Sequence, residues 1–238
     1  MTAKKCIALI PAYEPAKSLL SLLYALNKSG FETVVVDDGS GAAYAGIFRR
    51  ACPLAKVISY KQNKGKGHAL KTGLAYIKSQ YKDSYVVVTL DADGQHKVSD
   101  VLKACLEAKK HPLSLVLGSR ELKNNVPFKS RFGNTATRIA FFISTRQHIH
   151  DTQTGLRAFD SRLIPLMLKI KGARYEYEMN MLLECARKKI PIRQVTIQTI
   201  YINNNAGSHF NALKDSWLIY KAIFKFTALS IKNSYKGG

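Results

Sequence analysis

The chain has 238 residues, of which 46% are hydrophobic and 22% charged. This length allows one large domain or two small ones, and the composition excludes disordered and fibrous classes. Lys and Arg outnumber Asp and Glu by 37 to 16, which gives a formal net charge of +21. Such a surplus favours an anionic partner, such as nucleic acid, acidic lipid or a phosphorylated substrate.

The first 118 residues alternate short apolar segments with helical ones. Nearly continuous apolar strands are typical of a parallel sheet that is covered on both faces. Alternation of strands and helices implies right-handed crossovers, so we predict an α/β fold with a doubly wound, mostly parallel sheet. The predicted strands are 6–10, 33–36, 56–60, 85–90 and 113–117, and the predicted helices are 16–28, 42–51, 67–80 and 98–110.

The pattern is less regular after residue 118. Helices are predicted at 161–170 and 177–188, and strands near 156–159 and 192–202. The segment 217–231 is apolar except for two lysines and a few small polar residues, and Lys221 and Lys225 share one helical face. We therefore predict one domain over residues 1–215, followed by an apolar helical appendage at 216–238.

The four cysteines are far apart and form no CxxC pair, which favours free thiols in a reducing compartment over a zinc site. The N-terminus lacks the long apolar region and cleavage site of a signal peptide. No uninterrupted apolar run approaches the ~18 residues of a transmembrane helix. We therefore expect a cytoplasmic location.

Two carboxylates follow directly from the predicted strand 85–90. Asp91 and Asp93 precede Gly94 and Gln95, so both can turn toward one point. Mg²⁺ prefers oxygen ligands and usually takes one or two carboxylates together with substrate phosphates. A simple Asx turn at the strand end is the alternative interpretation.

Polar turns follow two other predicted strands. Asp37 and Asp38 come after strand 33–36, where they bind a ribose or base edge or cap the next helix, and Glu14 follows strand 6–10. Lys64 lies in a glycine-rich segment before a helix whose N-terminus favours anions, although a capping loop is the alternative. Carboxyl ends of parallel strands meet at one edge of a sheet, so together these turns predict a metal-bridged sugar-nucleotide pocket.

Six motifs occur in an order that resembles the family 2 inverting glycosyltransferases of the GT-A fold. The resemblance is greatest to the polyprenyl-phosphate hexosyltransferases of the dolichyl-phosphate mannose synthase type, and it covers residues 6–215. The segment 201–216 is similar to bacterial members that are often fused to a small membrane domain. The motifs are Pro11-Ala-Tyr13, Val36-Asp-Asp-Gly-Ser40, Asn63-Lys-Gly-Lys-Gly67, Leu90-Asp-Ala-Asp-Gly-Gln95, Gly118-Ser-Arg120 and Gln153-Thr-Gly-Leu-Arg157.

The resemblance implies a role for each matching residue. Asp91, Asp93 and Gln95 would hold Mg²⁺ or Mn²⁺ against the donor diphosphate. The catalytic residues would be Asp93, Arg120, Arg131 and Glu178, with the two arginines holding phosphate groups. The substrate-binding residues would be Pro11, Tyr13, Glu14, Asp37, Asp38, Lys64, Gln153, Arg157, Ser208 and His209. Two places depart from the family pattern, since Pro15 follows Glu14, and asparagines and His209 stand where the family has a later arginine and lysine.

The implied reaction moves a hexose from a nucleotide-diphosphate sugar to a polyprenyl phosphate, with a UDP-sugar as the preferred donor and GDP-mannose as the alternative. A phosphate nucleophile is already ionised and needs positioning more than a base. A hydroxyl acceptor on a glycan or protein is the alternative, and it would need Glu178 as the base. We expect a peripheral protein at the inner face of the cell membrane, with an anionic lipid surface as a partner.

Two other classes fit less well. Sugar-phosphate nucleotidyltransferases use a related sheet, but they usually open with a glycine-rich loop, which the segment 11–15 is not. A nucleic-acid-binding module would explain the charge of +21 and leave the acidic strand ends unexplained. We therefore expect no nucleic-acid partner.

Overall fold

A computed structural model describes residues 4–120, 128–198 and 212–234. Strands and helices alternate along most of the chain, as the sequence predicts. The strands are β1 (Lys5–Ala12), β2 (Glu32–Asp37), β3 (Lys56–Ser59), β4 (Tyr85–Thr89), β5 (Leu115–Arg120), β6 (Arg157–Asp160) and β7 (Ile192–Ile197). The helices are α1 (Ser18–Lys28), α2 (Ala45–Ala51), α3 (Lys66–Gln80), α4 (Val98–Lys110), α5 (Phe128–Thr145), α6 (Ile164–Lys169), α7 (Glu176–Arg187) and α8 (Ala212–Ser234).

The seven strands form one sheet in the order β3-β2-β1-β4-β6-β5-β7. All neighbouring pairs are parallel except those of β6, which is antiparallel to both β4 and β5. The prediction of an α/β fold with a mostly parallel sheet is confirmed, and the reversed strand is a feature that the sequence pattern did not indicate. Because β6 runs backwards, the residues that precede it lie at the carboxyl ends of β4 and β5.

Helices cover both faces of the sheet. Successive side chains of a strand point to opposite faces, so Ile7 and Leu9 of β1 enter one apolar cluster while Ala8 and Ile10 enter the other. The first cluster includes residues of α3, α5, α6, α7 and α8, and the second includes residues of α1, α2 and α4. The inner strands β2 and β4 are buried on both sides, which accounts for their nearly continuous apolar sequences, whereas the edge strands β3 and β7 are partly exposed.

The C-terminal helix is part of this body, which corrects the prediction of an apolar appendage. Ile219 and Ile223 of α8 are buried in the first apolar cluster, against α7 and α5. Arg174 donates to the buried carboxylate of Asp215, with Nε 2.9 Å from Oδ1. Ile219 and Ile223 are four residues apart, so they lie on one buried face of α8 while another face is exposed. The mean hydropathy of the segment does not show this difference between faces. The division into domains 1–215 and 216–238 stays a prediction.

None of the helices in residues 4–120, 128–198 and 212–234 combines the length and the apolar character that crossing a bilayer requires.

Candidate active site

The turn after β2 is held together by its two carboxylates. Asp38 is buried and accepts hydrogen bonds from the Tyr60 hydroxyl at 2.6 Å and from the backbone N–H groups of Lys64 at 2.8 Å and Gly65 at 2.9 Å. Asp37 accepts from the backbone N–H of Ser40 at 2.9 Å. The carboxylate of Asp38 therefore fixes the loop that leads into α3.

This loop determines where α3 begins. Gly65 has a φ of +99°, and a side chain there would overlap Ala173 O and Arg174 Cγ. Gly67 packs as closely against Tyr177 of α7. The glycines therefore let the start of α3 lie directly against the start of α7, and they place Lys66 between α7 and the end of β4.

Lys66 links two acidic residues that are far apart in sequence. Its Nζ is 2.8 Å from Oδ1 of Asp91 and 2.8 Å from Oε2 of Glu178. The side chains of Lys66 and Glu178 are 15% and 8% exposed, whereas that of Asp91 is 34% exposed and reaches solvent. One acidic strand end and the basic start of α3 thus meet at this edge of the sheet.

Charge at the end of β4 is unevenly compensated. Burial raises the pKa of Asp91, but Lys66 and His96 outweigh it and hold that pKa well below its usual range. The Nε2 atom of His96 is 3.6 Å from Oδ2 of Asp91. Burial, and secondly the charge of Asp91, raise the pKa of Asp93, whose Oδ1 accepts from the backbone N–H of Gln95 at 3.0 Å.

Burial tends to lower the pKa of Lys66, but Asp91 and Glu178 reverse this effect and raise it above the usual lysine value. The ammonium group therefore stays charged at neutral pH. It also lies 5.6 Å from the ring centroid of Tyr175, whose pKa is raised to about 12, mainly by burial.

The segment before β6 passes over this centre. Arg157 is fully buried, and its guanidinium donates to the carbonyls of Thr154, Glu178 and Thr152 at 3.0, 2.6 and 3.3 Å. A Cβ atom at Gly155 would overlap both carboxylate oxygens of Asp91. Arg157 therefore holds the backbone around the site, and Gly155 leaves room for Asp91.

Arg120 ends β5 and is oriented by an acid. Its Nη2 is 3.1 Å from Oδ1 of Asp151, and its Nε also donates to that fully buried carboxylate. The backbone N–H of Gln153 donates to the same Oδ1 at 3.1 Å. Asp151 therefore joins the predicted phosphate-holding Arg120 to the segment that carries Gln153.

The other predicted site residues either lie near the end of β1 or have side chains outside the described residues. Pro11 is the second-last residue of β1, beside Val36 of β2, and Tyr13 follows the end of the strand; both are partly buried. Glu14 has a φ of +47°, and its backbone N–H donates to the Ser40 hydroxyl at 2.8 Å. The side chain of Arg131 and all of Ser208 and His209 lie outside the described residues. The roles predicted for all these residues stay predictions.

The donor set at the end of β4 suits a hard divalent cation. Among the described residues no three His, Cys, Asp or Glu side chains form a ready cluster, so substrate oxygens would have to complete the coordination. Asp91, Asp93 and Gln95 offer only oxygen ligands, as Mg²⁺ and Mn²⁺ prefer. A cation beside Asp93 would also offset the burial and like charge that raise its pKa.

Several residues of this centre were missing from the sequence prediction. Lys66 lies within the quoted glycine-rich motif, and its place at the first position of α3 was the available signal. His96 follows Gln95 directly, and a histidine beside two carboxylates was a second signal. Nothing in the sequence pattern indicated Asp151 as the partner of Arg120.

Comparison with known proteins gives a consistent result. Residues 7–166 match the family Glycosyl transferase family 2. The chain is 29% identical to a UDP-N-acetylglucosamine–dolichyl-phosphate N-acetylglucosaminyltransferase of Methanococcus voltae, across 94% of this chain and 96% of that protein. It is 25% identical to a dolichyl-phosphate beta-glucosyltransferase of Dictyostelium discoideum, across 86% of this chain and 69% of that protein.

Solved structures show the same fold. The glucosyl-3-phosphoglycerate synthase of Mycobacterium tuberculosis, determined with Mn²⁺, UDP-glucose and phosphoglyceric acid, superposes with a TM-score of 0.68. The match covers 95% of this chain and 80% of that chain, at 18% identity.

Proposed function

Because the chain belongs to glycosyl transferase family 2 and is thus a glycosyltransferase, we propose that it transfers a hexose from a nucleotide-diphosphate sugar to a polyprenyl phosphate. The observation that carries this proposal is the chain of contacts from Asp91 through Lys66 to Glu178. It joins the strand ends that would bind the donor to the helix that would border the acceptor.

The donor would lie along the ends of β1, β2 and β4. Two proteins similar to this chain, one in sequence and one in fold, use or bind a UDP-sugar, which supports uridine as the base. Asp91, Asp93 and Gln95 would hold Mg²⁺ or Mn²⁺, which when bound neutralises the charge that develops on the departing diphosphate. Lys66 would keep Asp91 ionised and oriented while the donor enters.

The acceptor is proposed to be a phosphate rather than a hydroxyl group. The ammonium of Lys66 occupies Oε2 of Glu178, and Oε1 of the same carboxylate is buried, so a substrate hydroxyl could reach it only after the surrounding side chains move. A phosphate nucleophile is already largely ionised at neutral pH and needs only to be positioned. Arg120, held by Asp151, and Arg131 are the residues proposed to position it.

The proposed step is a direct displacement with inversion. An oxygen of the acceptor phosphate forms a bond to the anomeric carbon while the bond from that carbon to the nucleoside diphosphate breaks. The electron pair of the broken bond leaves with the diphosphate, and an ionised acceptor has no proton to transfer. The lipid acceptor implies action as a peripheral protein at the inner face of the membrane.

The test is incubation of the protein with undecaprenyl phosphate, Mg²⁺ or Mn²⁺ and a panel of nucleotide sugars, followed by mass spectrometry of the lipid fraction. We expect one hexose per lipid with at least one donor. We expect no transfer when undecaprenol is the acceptor instead of undecaprenyl phosphate. Transfer to undecaprenol, or no loaded lipid with any donor, would contradict a phosphate acceptor.

Two variants separate the acceptor hypotheses. Glu178→Gln keeps an oxygen for Lys66 but cannot accept a proton, so we expect it to retain activity. Arg131→Ala is expected to lose most of its activity on a phosphate acceptor. An inactive Glu178→Gln protein beside a fully active Arg131→Ala protein would instead support a hydroxyl acceptor with Glu178 as its base.

A further inference from the structure

Helices α5 and α8 expose large apolar side chains that nothing in the described chain covers. Ile139 and Ile143 of α5 are 55% and 59% exposed, and Trp217 and Phe224 of α8 are 60% and 73% exposed. These four residues are half of the large exposed hydrophobic residues found in the described ranges. We call this group, together with Lys221 and Lys225, the α5–α8 surface.

The two helices lie side by side, so their exposed residues belong to one region. The hydroxyls of Ser144 and Thr227 are 2.7 Å apart, and they join α5 to α8 next to Ile143 and within one turn of Phe224. Along α8, Trp217, Lys221, Phe224 and Ala228 are all exposed. Their spacing of four, three and four residues places them in one stripe along the helix.

This stripe is fixed in place by the opposite face of α8. Ile219 and Ile223 are buried in the core, and the buried carboxylate of Asp215 is paired with Arg174. Rotation of α8 to turn the exposed face inward would expose the isoleucines and the Asp215 carboxylate to water. It would also bury the charges of Lys221 and Lys225. The apolar stripe is therefore a lasting part of the surface.

The charge of this region is positive throughout. Residues 134–150 contain two arginines and no acid, and residues 216–234 contain three lysines and no acid. Lys221 and Lys225 are exposed, and Lys221 Nζ lies 4.6 Å from the ring centroid of Trp217. The chain thus presents tryptophan, phenylalanine and isoleucine together with cations, while the one acid in the sequence of α8, Asp215, is buried and paired with Arg174.

We propose that the α5–α8 surface docks onto a bilayer that contains anionic lipids. Apolar side chains on one exposed face enter the acyl boundary, and the lysines beside them meet the headgroup phosphates. A second copy of the chain fits less well, because two surfaces of the same positive charge would repel each other. The net charge of +21 adds long-range attraction to an anionic membrane.

The surface is connected to the candidate active site. Arg174 binds Asp215 in the first turn of α8, and its Cγ lies next to Gly65, one residue before Lys66. Docking through α8 would therefore hold the end of α7 that carries Glu178 close to the headgroups. In this respect the inference rests on the proposed function, since the polyprenyl phosphate lies in the same bilayer.

Docking is tested by flotation of the full chain with vesicles, in the absence of any substrate. We expect binding to phosphatidylcholine vesicles that contain phosphatidylglycerol, and weaker binding when salt screens the lipid charge. Trp217→Ala/Phe224→Ala is expected to weaken partitioning on the order of 100-fold, and Lys221→Gln/Lys225→Gln about 30-fold. Matched controls are Tyr24→Ala/Leu106→Ala and Lys28→Gln/Lys78→Gln, which change exposed residues of other helices and should bind as the unaltered chain does.

Two results would overturn the proposal. One is equal binding by the Trp217→Ala/Phe224→Ala protein and its control, with circular dichroism showing that both are folded. The other is a dimer of the unaltered chain in sedimentation that this double substitution dissociates, which would assign the surface to a second copy.

A transfer assay separates this inference from the proposed function. With undecaprenyl phosphate in vesicles, the Trp217→Ala/Phe224→Ala protein should lose at least tenfold more activity than with a short, water-soluble polyprenyl phosphate. Equal losses with both acceptors would contradict docking and leave the proposed function intact. Absence of transfer to either acceptor by the unaltered chain, with vesicle binding retained, would contradict the proposed function alone.

Discussion

The turns after β2 and β4 carry similar sequences and differ in the partners of their carboxylates. Both place two acids between an apolar strand and a glycine. Asp38 is saturated by a tyrosine hydroxyl and two backbone N–H groups, whereas Asp91 is bound by the charged side chain of Lys66. A carboxylate that is filled by neutral donors builds a loop, and one that is held by a single cation and reaches solvent remains available for chemistry. The type of partner therefore indicates the role better than the motif does.

The largest effect should come from removing the cation of the second turn. In Lys66→Met, the buried carboxylate of Glu178 loses its closer cation and keeps only Arg157 Nε at 3.9 Å, which should cost about 3 kcal/mol in the free energy of unfolding and most of the transfer activity. Urea unfolding measures the free energy of unfolding, and the lipid-loading assay measures the transfer activity. Lys64→Met changes an exposed neighbour and should shift the unfolding free energy by no more than about 0.5 kcal/mol. Equal stability of the two variants would mean that the contacts of Lys66 contribute nothing.

Asp93→Asn should affect activity and stability in opposite directions. Loss of the charge that would hold the metal should reduce turnover on the order of 10²–10³-fold, a barrier increase of roughly 3–4 kcal/mol. The folded protein should become slightly more stable without metal, because the ionised Asp93 is disfavoured by burial and by Asp91. Steady-state rates and thermal midpoints measured on the same samples check both directions. A variant that turns over at the normal rate would remove Asp93 from the mechanism.

Asp38→Ala tests the structural role of the first turn. It leaves two backbone N–H groups and the Tyr60 hydroxyl without their acceptor, so the unfolding free energy should fall by about 2–3 kcal/mol. Activity should fall as well, because the same loop positions Lys66. Asp83→Ala, which alters an exposed acid, is the control for chemical denaturation. If the two substitutions have the same effect, the distinction between the turns is wrong.

Gly155→Ala tests the space beside Asp91. The added methyl would overlap the Asp91 carboxylate, so we expect a cost of about 1–3 kcal/mol in stability and a higher apparent KM for the divalent metal. Gly46→Ala is the matched control, since a Cβ there meets nothing within 4 Å and α2 is a helix. It should stabilise the protein by about 0.5–1 kcal/mol.

The smallest effect is a pH dependence. The folded protein holds the proton of Asp93 more tightly than the unfolded chain, whose carboxyl titrates near 3.8. The stabilising effect of this proton is complete below that value and is lost as pH rises through the higher folded pKa. Urea midpoints measured with EDTA from pH 3 upward should therefore fall more for the unaltered chain than for Asp93→Asn. Parallel curves would contradict the raised pKa.

Local sequence was sufficient for the elements but not for their assembly. The strands β1, β2 and β4 and the helices α3 and α4 agree with prediction to within two residues at each end, because continuous apolar runs and helical periodicity are local signals. The direction of β6 is set by its pairing with β4 and β5. The strand is only four residues long, and its own sequence does not indicate in which direction it runs. The convergence of Asp91 and Glu178 on Lys66 depends on the packing of α3 against α7, and Arg157 is bonded to the backbone of Glu178, a residue of α7 that is remote in sequence.

The reversed strand β6 has a consequence for engineering. Because β6 enters the sheet from the edge that carries Asp91, the chain from residue 146 to residue 156 forms a bridge above that edge, anchored by Arg157 below and by Asp151 to Arg120. Residues 146–150 lie outside the sheet register and are held from the side, because Ile149 is buried in the core and Gln194 of β7 bonds to the backbone of His148 and His150. A span exchanged between relatives would therefore have to keep an apolar residue at position 149, and it would leave β1, β2 and β4 untouched.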